Sequence, residues 1–101
     1  MLNQTILVGR VQDIIKVDQR ILSEPAFKLI INIERPGDSK TIDHIPVFMK
    51  EHLYDGIKSY LVDNKLIALK AHIENIHTII GHESDRIGIV IDRVTLLSDP
   101  S

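Results

Sequence analysis

Cysteine is missing from this chain of 101 residues, so no disulfide can staple it and no Cys ligand can hold a metal. Tryptophan is missing as well, and the aromatic complement is only Phe27, Phe48, Tyr54 and Tyr60. No apolar run reaches the length of a signal peptide or a membrane span, and polar residues occupy positions 3 to 5. These absences lead to the expectation of a soluble, cytoplasmic protein. Neither sign of charge dominates, since 12 basic and 14 acidic residues leave a net charge of −2. There is thus no global attraction to nucleic acid, and a polyanion binder built from this chain must sort its basic residues onto one face. The length is that of one domain, residues 1–101, able to bury roughly 60 to 68% of its unfolded surface and to fold without staples.

What is present is alternation. Gln4 to Lys16 reads as a long strand with Ile6 and Val8 on one side and Leu7 and Val11 on the other, while Gly9 leaves room for a bend or a close backbone approach. A polar excursion over Val17 to Glu24 ends at Pro25. From Phe27 to Glu34, Phe27, Leu29, Ile31 and Ile33 face one way and Lys28, Ile30 and Asn32 the other. Arg35-Pro-Gly-Asp-Ser-Lys40 supplies hairpin-turn chemistry, and Thr41 to Phe48 returns as a third strand, in which Pro46 predicts an edge or a bulge.

Between Lys50 and Val62 the spacing changes to threes and fours. Leu53, Ile57 and Leu61, with Tyr54 and Tyr60 beside them, form one apolar helical face, and Asp63-Asn64 is a plausible stop. Lys65 to Ile80 alternates again, with Ile67, Leu69, Ala71 and Ile73 opposite Lys70, His72 and Glu74. Gly81 to Asp85 is a loop, and Arg86 to Leu97 a last strand carrying Ile87, Ile89 and Ile91. Three strands, a helix and two strands is the order of the OB-fold, an all-β, five-stranded Greek-key barrel with one helix between the third and fourth strands.

Three segments carry a family resemblance. The opening Leu2-Asn3, the apolar run Ile6 to Val8 and Gly9-Arg10 resemble the start of bacterial single-stranded DNA-binding proteins. Ser59-Tyr-Leu-Val-Asp-Asn-Lys-Leu-Ile-Ala-Leu-Lys-Ala71 is similar to that family's passage from helix to fourth strand, and Thr41-Ile-Asp-His44 to its third-strand segment, which usually has an aromatic directly before the His. The resemblance implies binding of single-stranded DNA without strong sequence preference, in replication, recombination or repair, with no cofactor. It also implies a first strand that pairs with a symmetry mate. A homodimer, or a homotetramer made of two, would cover the outer Gln4, Ile6 and Val8.

The departures shape the expected site. Relatives stack bases on Trp or Phe, whereas this chain has Asp43 before its His, and both tyrosines and Phe27 read as packing residues. Phe48 is the remaining stacking candidate. Phosphate contacts must then carry more of the affinity, from Lys28 and Lys70 on the non-core sides of their strands, Arg35 and Lys40 about the hairpin turn, Lys50 before the helix, and Arg86 with His77 across the last loop. That loop is short and acidic, which argues against extensive wrapping of DNA. The chain stops at Leu97-Ser-Asp-Pro-Ser101 without the acidic tip by which relatives recruit replication proteins, so it resembles a short, tail-less member like the primosomal relatives. The alternative function is a protein-contacting OB module, a primosomal adaptor or a partner of a full-length paralogue, with weak nucleic-acid binding.

Catalysis and metal binding find little support. His72 and His77 are five apart on one strand and face opposite sides, and His44 beside Asp43 has the same difficulty. His82 with Glu83 and Asp85 has no helical His-Glu-x-x-His or phosphate-binding Gly loop to accompany it. No enzyme, metal site or membrane partner is expected.

Overall fold

The computed structural model describes residues 1–17, 24–76 and 86–98. Within them the alternating segments become β1 (Thr5–Val17), β2 (Ala26–Arg35), β3 (Asp38–Lys50), β4 (Leu66–Asn75) and β5 (Ile87–Leu96), with one helix, α1 (Glu51–Ile57), between β3 and β4. The loop expected over Gly81 to Asp85 lies outside the described residues, as does the end of the expected fourth strand. The strands close into a barrel in the order β1-β2-β3-β5-β4, the OB-fold arrangement.

Strand β1 closes the barrel by serving two neighbours in succession. Thr5 to Arg10 pair with β4, and Arg10 to Val17 with β2. The handover falls beside Gly9, where a Cβ would collide with the Asn32 carbonyl oxygen and lie 2.7 Å from Ile31 Cγ2. Only a residue without a side chain lets the two backbones approach this closely. A register shift between Val11 and Asp13 adds to the bend.

The β2–β3 hairpin runs in register from Ala26↔Lys50 to Glu34↔Ile42 and shifts before its last pair, Arg35↔Asp38. Its tip uses Pro36 and Gly37, the latter at φ 81°, a left-handed value that glycine adopts without strain. Strand β3 meets β5 in parallel at Phe48↔Val90. Pro46, paired with Ile30 of β2, lies upstream of that contact in a stretch with no second neighbour among the described residues, so its missing N–H breaks no ladder there.

The inward parity builds the core. Leu29, Ile31, Val47, Met49, Ile67 and Leu69 are fully buried, joined by Val11, Leu61 and Ile91. Each such side chain contributes about 1.5 to 3 kcal/mol by leaving water. Helix α1 packs its Leu53, Tyr54 and Ile57 against this cluster, and Tyr54 stacks on Phe27 with ring centroids 4.0 Å apart.

The helix is shorter than its apolar spacing predicts. After Ile57 the chain tightens into turns in which Tyr60 N–H donates to Ile57 O (2.9 Å) and Leu61 N–H to Lys58 O (3.3 Å). Two features work against further helix, Gly56 in the last turn and the lack of a capping side chain at Lys50. The tighter turn still delivers Leu61 to the core, but it swings Tyr60 outward to 60% exposure, correcting the expectation that Tyr60 packs. Asn64 does take the left-handed conformation, at φ 67°, in a later turn that docks on β1 through Asn64 N–H to Val11 O.

Candidate nucleic-acid interface

On β2 the residues that alternate with the buried Leu29 and Ile31 face outward. Lys28 is flanked in register by Ile15 of β1 and Phe48 of β3, and Asn32 by Arg10 and His44. His44 Nδ1 lies 2.5 Å from Asn32 Oδ1, and because that oxygen only accepts, Nδ1 carries the proton. Toward the tip, Arg35 holds Asp43 in a fork, with Nη2 2.7 Å from Oδ1 and Nε 3.2 Å from Oδ2. That hydrogen bond keeps the Asp43 carboxyl below the usual carboxylate range and raises the Arg35 guanidinium further. Asp43 stands where an aromatic was expected from the resemblance, and it occupies the cation that a phosphate would otherwise meet. Asp38 accepts from the Lys40 N–H (3.1 Å) and the Thr41 hydroxyl (2.6 Å), ordering the tip and leaving the Lys40 ammonium to solvent.

The remaining expected contacts are dispersed around the barrel. Lys50 Nζ lies 3.6 Å from Glu24. Lys70 projects from β4 between Ile6 of β1 and Arg93 of β5. Arg86 directly precedes β5, its carbonyl accepting from the Ile76 N–H. His77 lies outside the described residues. Lys28 and Phe48 are register neighbours, and Arg35 and Lys40 share the hairpin tip. The seven residue steps from Lys28 to Arg35 separate those two pairs by roughly 23 Å along the strand.

Phe48 does not offer the open ring that stacking needs. It is 8% exposed, and a Cβ at Gly88 would fall 3.2 Å and 3.3 Å from its ring carbons, so the β5 backbone already lies against it. The closure of β3 on β5 causes this burial, placing an outward-parity residue under a neighbouring strand.

Sequence reasoning missed Arg93. Strict alternation from Ile87, Ile89 and Ile91 places residue 93 on the core side, but the ladder slips between Lys70/Ala71 and their β5 partners, so Asp92 and Arg93 both turn to solvent and Val94 resumes the core side. The same slip brings Asp92 to His72. His72 Nδ1 lies 2.8 Å from Asp92 Oδ2, and Nε2 lies 2.5 Å from Glu74. Its pKa is raised by the hydrogen bond to Asp92 first and that to Glu74 second, because two acceptors are satisfied together only by the imidazolium.

The N-terminal half of β1 has an open side. From Thr5 to Gly9 the strand is bonded to β4 alone among the described residues, and Ile6 and Val8 are 66% and 49% exposed. Gln4 is exposed just ahead of the strand. Asn3 prolongs the β4 side with its amide, which donates to Ile73 O (2.7 Å) and accepts from Ile73 N–H (2.9 Å).

No protein-family model matches the chain, and no curated protein matches its sequence. Solved structures do. The N-terminal domain of PriB from Thermoanaerobacter tencongensis, described as dimeric, superposes with a TM-score of 0.70 at 15% identity, over 96% of this chain and 98% of that one. The mitochondrial single-stranded DNA binding protein Rim1 of S. cerevisiae reaches 0.73 at 13% identity over all of both chains. Plasmodium falciparum SSB, in complex with ssDNA, reaches 0.60 at 17% identity over 97% of each. Two of these three structures are named for single-stranded DNA, and the likeness of this chain to all three is one of fold.

Proposed function

We propose that this chain binds single-stranded DNA without strong sequence preference, as a non-enzymatic homo-oligomer serving DNA replication, recombination or repair in the cytoplasm. The observation that carries the reading is the full-length superposition on proteins named for binding single-stranded DNA, one of them in complex with it. In support, Lys28, Lys40 and Lys70 project outward with no side-chain acid partner among the described residues. Backbone phosphates supply the affinity in this reading, and base stacking supplies little. Each neutralised phosphate then contributes about −0.7 to the slope of log K against log salt. A titration of labelled oligo-dT and of duplex at low salt tests it. Micromolar protein should bind oligo-dT in preference to duplex, and no binding to oligo-dT would sink the idea.

The protein-contacting alternative draws on two observations, the covered Phe48 ring and the capture of Arg35 by Asp43. Both remove groups that a base or a phosphate would use. Binding of oligo-dT too weak to saturate at low salt would favour it.

A further inference from the structure

Strands β4 and β5 set two cations directly opposite each other. Lys70 and Arg93 are register partners, both are exposed, and Ile6 of β1 continues the row. Like charges facing across a ladder destabilise a sheet, so such a pair is normally relieved by a neighbouring carboxylate. The two carboxylates nearest in register, Glu74 and Asp92, are both committed to His72, one on each ring nitrogen. Lys70 and Arg93 have no hydrogen-bond or ion-pair partner among the described residues. The fold therefore places two cations side by side and spends the local acids elsewhere, which leaves the pair to an anion from outside.

We propose that Lys70 and Arg93 bind consecutive phosphates of a single-stranded nucleic-acid backbone, forming a second contact track on the outer face of β4 and β5, apart from the β2–β3 hairpin. The assignment deepens the single-stranded DNA reading and rests on it. Arg93 supplies a planar fork suited to two phosphate oxygens, and Lys70 a point charge. Their spacing is fixed by the ladder. Loss of the track weakens binding to every sequence alike, because no base edge is read there.

The double variant Lys70→Gln/Arg93→Gln tests the track. Titration with labelled oligo-dT at several salt concentrations should give a slope of log K against log salt shallower than wild type by about 1.4, from two phosphates at ~0.7 each. Lys16→Gln/Lys58→Gln removes the same net charge from other exposed positions and should leave the slope at the wild-type value. The Lys70→Arg variant keeps the charge and should bind as wild type does. Thermal melting of the double variant should match or exceed wild type, since a repulsion has been removed. An unchanged slope in the double variant overturns the proposal, as does an equal loss in the control pair, which would reveal only net charge. An unfolded double variant also overturns it, by assigning the pair to structure. Wild-type protein that ignores oligo-dT overturns the DNA reading itself, whereas wild-type binding with an unaffected double variant overturns the track alone.

Discussion

Gly9 and His72 are the two positions where one side chain, or the lack of one, decides most. At Gly9 an added methyl meets a backbone oxygen and the Ile31 and Ile33 side chains at 2.7 and 2.8 Å, and the backbone cannot yield without disturbing the Arg10↔Asn32 pairing. Gly9→Ala should therefore destabilise the barrel by about 1 to 3 kcal/mol, read by chemical denaturation, and a variant as stable as wild type would contradict the close approach. His72 is raised in the folded chain, so its contribution is fully present below the ordinary imidazole value and is lost as pH rises through the raised one. The partners are partly exposed, which limits the effect to about 1 kcal/mol. As pH rises above the ordinary imidazole value, melting temperature should fall more in wild type than in His72→Gln. An identical fall in the two proteins would place the titrating group elsewhere.

Among the elements, those that depend on a single period were legible and those that depend on register were not. Leu29 and Ile31 could be assigned to the core because Phe27, Leu29, Ile31 and Ile33 make one parity of β2 wholly apolar, whereas the other carries Lys28 and Asn32 as well as Ile30. Gly9 could be read as a bend or a close backbone approach because a glycine inside an apolar strand otherwise weakens it. The helix was found by its spacing, but its end was not, since Leu61 keeps the apolar rhythm after the backbone has left the helix. The Arg35–Asp43 fork, the His72–Asp92 contact and the outward turn of Arg93 all depend on which residue of one strand faces which residue of another. A slip of one residue in β5 moves Arg93 from an expected core position to the surface, and no local signal in the sequence announces it. Phe48 shows the same limit, since its parity says outward while the strand that covers it lies 40 residues further along.

For the assembled protein, the open side of β1 is the feature that most constrains its state. Among the described residues Thr5 to Gly9 have no strand partner on the side away from β4, and Ile6 and Val8 add exposed apolar surface to the same segment. An edge of this kind invites pairing with another strand, and an antiparallel match of β1 with its own copy satisfies both chains by one two-fold operation. The resulting sheet would run from β5 through β4 and β1 into the mate and carry the row Arg93, Lys70, Ile6 in both copies. Stacking a second dimer on that face would bury eight cations, four from each dimer, with the nearest acids, Glu74 and Asp92, already held by His72, which costs more than the apolar contact of Ile6 and Val8 returns. A dimer is therefore the expected assembly. Sedimentation equilibrium at micromolar concentration should give about twice the 11.5 kDa of one chain, and Ile6→Lys with Val8→Lys should reduce it to the single-chain mass while leaving the barrel folded. A wild-type protein already at 11.5 kDa would show that the β1 edge stays unpaired, and a species of four chains would show that the charged face is no barrier.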